Sequence, residues 1–119
     1  MDFTLVLEPA PEAAKAARDL VAEAFGKWGL ESYEARLVIT ELFSNAARVS
    51  GEPVVVRVGR ARGKVLLEVW DQSDEPLVLR AAGPEEEGGR GLFIIDDLVA
   101  EWGVRPLDGG GKAVWAVMA

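Results

Sequence analysis

Apolar residues recur along the chain with two periods, and the changes of period mark its elements. Thr4 to Glu8 alternates apolar and polar side chains, which predicts a short strand. Pro9 and Pro11 mark a helix start, because proline suits the first helical turn. From Glu12 to Trp28, Ala13, Ala17, Leu20, Val21, Ala24 and Trp28 recur at three and four, the stripe of an amphipathic helix. Gly29 supplies its C-terminal stop. A second helix is predicted from Tyr33 to Val49, with Ser32 as N-cap and Glu34 in the first turn. Gly51-Glu52-Pro53 ends it.

Val54 to Arg60 and Lys64 to Trp70 follow as strands joined across Ala61-Arg62-Gly63, a hairpin signal. Asp71 to Gly89 has no period and reads as a long loop. A third helix is predicted over Leu92 to Val99, opened by Gly88-Gly89-Arg90-Gly91. Glu101 to Arg105 and Ala113 to Met118 close the chain as strands, with a turn at Asp108-Gly109-Gly110-Gly111. The order β-α-α-β-β-loop-α-β-β predicts one α+β domain over residues 1–119. Its architecture would be a two-layer sandwich, a mostly antiparallel sheet with about three helices on one face.

Composition narrows the chemistry. The 119 residues are 50% hydrophobic and 28% charged, a globular balance. There are 0 cysteines and 0 histidines. A disulfide framework, a Cys or His zinc site, a thiol nucleophile and a Ser-His-Asp triad are therefore excluded. A general base must be a carboxylate, a lysine or a tyrosine. The net charge of −7 lacks the basic stripe of a phosphate-tracking protein, so direct nucleic-acid binding is not expected. Met1-Asp2-Phe3 does not open a signal peptide, and no apolar run suits a membrane span. The expected location is the cytoplasm.

Three places break the pattern. On the second helix Leu37, Val38, Leu42, Ala46 and Val49 form an apolar arc that Ile39 and Phe43 extend. Glu41 and Asn45 fall inside that arc, one turn apart on one face. Either the helix skirts the sheet edge and Glu41 reaches solvent, or this face lines a polar cavity. In the second case Glu41 and Asn45 can act as base and metal ligand. Asp71, after Trp70, is either a turn former or a buried acceptor for a ligand N–H. Gly88-Gly89-Arg90-Gly91-Leu92 is either a flexible helix start or a phosphate cradle of backbone N–H groups. It is neither a dinucleotide fingerprint nor a Walker A motif. Glu85, Glu86 and Glu87 read as a solvated run rather than metal ligands, and Trp28, Trp70, Trp102 and Trp115 as core or rim aromatics rather than stacking platforms for bases.

Taken in order, these runs resemble a known family. Glu41-Leu42-Phe43-Ser44-Asn45-Ala46 is similar to the N box of the GHKL, or Bergerat-fold, ATPases, and Val69-Trp70-Asp71 to their next box. Gly88 to Leu92, Trp102-Gly103 and Gly111-Lys112-Ala113-Val114-Trp115 resemble the small branch of anti-sigma-factor serine protein kinases. The resemblance implies Glu41 as general base and Asn45 as ligand of a Mg²⁺ that bridges the ATP phosphates. It implies Asp71 as acceptor of the adenine amino proton. Gly89, Gly91 and Leu92 would border the phosphates with Arg90 as a charged neighbour, under a lid at about 72–89. It further implies a sigma factor or an anti-sigma antagonist as partner, and a homodimer. The chain departs from the family where Gln72-Ser73-Asp74-Glu75 lacks glycine, where Val49 replaces a common histidine, and where Ala113 replaces a common threonine. Two functions follow: a serine/threonine protein kinase that sequesters a sigma factor, or a non-enzymatic binding module of the same fold. A metabolic ATPase is not expected, since such enzymes usually carry further domains.

Overall fold

Residues 2–73 and 95–119 are described by the structure, a computed structural model. Strand β1 (Asp2–Leu7) leads through a 3-10 turn (Pro11–Ala13) into helix α1 (Ala14–Lys27) and then α2 (Tyr33–Val49). Strands β2 (Val54–Ala61), β3 (Lys64–Asp71), β4 (Val99–Pro106) and β5 (Lys112–Met118) complete one sheet. Its order is β1-β2-β3-β5-β4, and every neighbouring pair is antiparallel. The expected α+β sandwich is therefore observed. Residues 95–98 are helical and run directly into β4, so Val99, expected in the third helix, is a strand residue. The expected lid at 72–89 beyond Ser73, the Glu85–Glu87 run and the Gly88–Leu92 cradle lie outside the described residues.

Strand ends follow pairing rather than local pattern. β1 begins at Asp2, earlier than the alternation suggests, because Asp2 pairs with Gly59 and its carboxylate meets Arg57 Nη2 at 3.0 Å. The β2–β3 hairpin turns on two residues, Arg62 and Gly63, at φ 55° and 76°. Two positive φ values in a two-residue loop match the right-handed twist of the strands it joins.

The helix ends show two different devices. α1 stops where Gly29 adopts φ 68°. The Leu30 amide then bonds Phe25 O at 2.9 Å, and the Gly29 amide bonds Gly26 O at 3.2 Å. This pair of bonds satisfies carbonyls that the helix leaves open. At the start of α2, Ser32 occupies the N-cap position but its side chain caps nothing. Glu31 Oε1 accepts the Tyr33 amide at 2.8 Å instead. Ser32 has already turned to helical φ and ψ, which aims its hydroxyl away from the first-turn amides.

Both helices pack on one face of the sheet, α1 against β1 and β2, and α2 against β2 and β3. The core between them joins Val21, Ala24, Val38, Ile39, Leu42 and Phe43 to Val54, Val56, Val58, Leu67, Val69, Val114 and Ala116. Alternation along the strands selects these residues, since every second side chain faces the helices. Ile95 is fully buried with them, and Trp102 Nε1 donates to Asp96 Oδ1 at 3.1 Å, which ties the helical residues 95–98 to β4.

Candidate functional site

Helix α2 carries its polar pair along the margin of the core. Ala35, Val38, Ile39, Leu42, Phe43 and Ala46 are buried, but Leu37 and Val49 are exposed. The expected apolar arc is thus rotated: its true centre is Ile39 and Leu42, and Leu37 and Val49 do not belong to it. Leu37, Glu41 and Asn45 form an i, i+4 line that passes from exposed through half-buried to buried. The helix neither leaves Glu41 fully in water nor encloses it.

Asn45 is 7% exposed. Arg48, on the same helix, donates through Nη2 to Asn45 Oδ1. Among the described residues Asn45 Nδ2 is buried without a hydrogen-bond partner. An amide oxygen has two lone pairs, so Arg48 leaves Oδ1 one further position. A guanidinium at that oxygen still opposes a cation placed there.

Asp71 closes β3 on the helix-facing side of the sheet, in phase with Leu67 and Val69. It is 1% exposed. Its Oδ1 accepts the Ser73 amide at 2.9 Å, so the turn-forming role is real. The same oxygen accepts Lys112 Nζ at 3.0 Å, an ion pair between two buried side chains. Its Oδ2 is buried and has no partner among the described residues. A buried acceptor without a donor costs on the order of 1–3 kcal/mol and is the complement of a ligand N–H.

Lys112 lies in the Gly111–Trp115 run but receives no role from the sequence, where Ala113 is the residue singled out as a departure. Ala113 stands opposite Trp70 and Arg105, whereas Lys112 stands opposite Asp71. The signal was available: Lys112 is in phase with the inward residues Val114 and Ala116. Gly111 permits the approach. At φ 87° it passes so close to β3 that a Cβ there would lie 2.3 Å from Asp71 O.

The structure therefore describes three of the expected site residues. Glu41 and Asn45 share α2, and Asp71 ends the strand against which α2 packs. Gly89, Arg90, Gly91 and Leu92 fall outside the described residues. A cavity of about 350 Å³ touches none of the three; Asp2, Arg57, Gly59, Leu66 and Glu68 line it, toward the sheet's other face. No group of three acidic, His or Cys side chains among the described residues could hold a metal ion.

A family model for the histidine kinase-like ATPase domain matches residues 7–118. The chain belongs to that family. The match runs from the last residue of β1 to the last of β5 and takes in both helices and strands β2 to β5. A histidine kinase-like ATPase domain is a nucleotide-binding domain by family, and the buried acceptor on Asp71 suits a ligand donor. No curated protein matches the chain. Among the described residues, no helix is long and apolar enough to cross a membrane.

Proposed function

We propose that this histidine kinase-like ATPase domain binds ATP with Mg²⁺ and serves as a regulatory serine/threonine protein kinase of a bacterial partner-switching system. In that role it holds a sigma factor and phosphorylates an anti-sigma antagonist. The observation that carries the nucleotide reading is the buried Oδ2 of Asp71, which has no partner among the described residues. It accepts one N–H of the base, as the family resemblance implies for this position. Asn45 Oδ1 would help to hold Mg²⁺ beside the phosphate oxygens, as the family resemblance implies for this position. Arg48 has to yield part of its hold on Asn45 Oδ1 when the cation is in place. Bound ATP and Mg²⁺ supply the transferable phosphoryl group and neutralise its charge. Glu41, half-buried and one turn before Asn45, takes the proton of the serine or threonine hydroxyl. Gly89, Gly91 and Leu92 keep the phosphate-side role that the resemblance gives them, and Arg90 the neighbouring place that its charge suggests.

Calorimetric titration with Mg-ATP tests this reading. The expected dissociation constant is about 1 mM or tighter, near −4 kcal/mol. Asp71→Ala and Asn45→Ala weaken it. Glu41→Ala retains affinity and lowers phosphoryl transfer to a serine-peptide array by roughly 10²–10⁴-fold, the usual worth of a general base. Absence of heat with the wild type rejects nucleotide binding. Equal losses of affinity and transfer in Glu41→Ala make Glu41 a structural or metal-linked residue.

The second reading, a binding module without catalysis, is favoured by one observation: Arg48 already engages the oxygen that would face Mg²⁺. It predicts nucleotide affinity that is unchanged by chelating the metal, together with no transfer from the wild type.

A further inference from the structure

Lys112 is a buried cation to which the reading above gives no task. It is 8% exposed and stands directly opposite Asp71 in the β3–β5 register. Its ammonium donates to Asp71 Oδ1 at 3.0 Å and to Ser73 O at 3.5 Å. The Ser73 amide brings a second donor to the same Oδ1. Two donors converge on one oxygen, while the other, Oδ2, has none among the described residues.

This asymmetry limits what the carboxylate can read. A carboxylate with both oxygens open takes two parallel N–H groups side by side. One with a committed oxygen takes a single donor. Purine bases divide along this line. Guanine presents its N1–H and its 2-amino group side by side, and a carboxylate reads both with two oxygens. Adenine presents one exocyclic amine beside an acceptor nitrogen.

We infer that Lys112 is a specificity-determining residue: by holding Asp71 Oδ1 it leaves one acceptor, which fits adenine and leaves a guanine donor unpaired. Lys112 acts through Asp71, so it is a positioning residue and need not touch the nucleotide. The inference rests on the proposed role of Asp71 as the base acceptor. A buried donor without a partner is costly, and sites built around such a bond discriminate strongly.

The test is calorimetry of the whole chain with Mg-ATP, Mg-GTP and inorganic tripolyphosphate. The wild type is expected to prefer ATP over GTP by at least tenfold. Lys112→Met opens one of the two lone-pair positions on Oδ1, the Ser73 amide keeping the other, so a second ligand donor can be accepted and the preference narrows by at least tenfold. Lys112→Arg acts in the opposite sense, because a guanidinium forks across both carboxylate oxygens. Its affinity for ATP drops at least tenfold, while tripolyphosphate binds as before. Lys112→Arg keeps the buried charge pair, so it decides the matter if Lys112→Met does not fold. An unchanged ATP-to-GTP ratio in Lys112→Met, with ATP still bound by the wild type, overturns the role of Lys112 and leaves the nucleotide reading intact. So does an unchanged ATP affinity in Lys112→Arg, or an equal loss toward ATP and tripolyphosphate. No binding of ATP by the wild type overturns both.

Discussion

Glu68 lies on β3 with its side chain 5% exposed, on the sheet face away from the helices. It accepts Arg57 Nη1 at 3.2 Å, Trp70 Nε1 at 3.1 Å and Arg105 Nη1 at 3.1 Å. These three donors, from β2, β3 and β4, allow an outward carboxylate to be covered without losing its hydrogen bonds. Arg57 also stacks over the Trp70 ring at 5.3 Å. Glu68→Ala leaves Trp70 Nε1 and two guanidinium groups short of an acceptor. It is expected to cost about 1–3 kcal/mol in urea unfolding. The Lys15→Ala change, which breaks an exposed pair with Asp19, is expected to cost about 0.5 kcal/mol or less in the same measurement. The covered state of Glu68 was not legible in the sequence, because two of its three donors, Arg57 and Arg105, come from other strands. Glu41 and Asn45 were legible, since two polar residues one turn apart interrupt a single apolar arc.

At the scale of elements, periodicity and punctuation carried far. Both ends of α2, Tyr33 and Val49, were readable because the helical period starts after Ser32 and stops before Gly51-Glu52-Pro53. The stop of α1 at Gly29 was readable for the same reason. The burial of α2 was less so: its apolar residues cover an arc wide enough for two orientations, and packing against β2 and β3 selects one. The glycine turns differ in what they demand. Gly29→Ala meets open space and pays only for its positive φ, about 1 kcal/mol. Gly111→Ala adds a Cβ 2.3 Å from the Asp71 carbonyl and must shift β5 or β3. Its expected cost exceeds about 2 kcal/mol, and urea midpoints of the two variants give the comparison. Gly111→Ala also disturbs the Lys112–Asp71 register, so weakened ATP binding should accompany the lost stability.

For the whole molecule, nucleotide binding and stability are linked. A ligand that binds only the folded chain at a hundred times its dissociation constant adds about 2.7 kcal/mol. For a domain of this size that is a rise of roughly 8–15 °C in melting temperature. Scanning calorimetry with Mg-ATP is expected to show such a rise for the wild type and little of it for Asp71→Ala. An unchanged wild-type melting temperature at that ligand excess counts against binding to the folded state. A net charge of −7 offers no general positive field to an anionic nucleotide, so the proposed binding would rest on Mg²⁺ and local donors.

The sequence alone determined the element order, the α+β sandwich and the base-class exclusions that follow from 0 histidines and 0 cysteines. These depend on local period, on turn chemistry and on which side chains exist. Tertiary structure decided the rest. The partner of Asp71 is 41 residues away in the chain, and only strand register brings Lys112 opposite it. Likewise, only packing decided that Asn45 is buried and Leu37 exposed on the same helix. Charge pairing and burial are properties of neighbours in space, and a linear pattern fixes which residues share a face but not what that face meets.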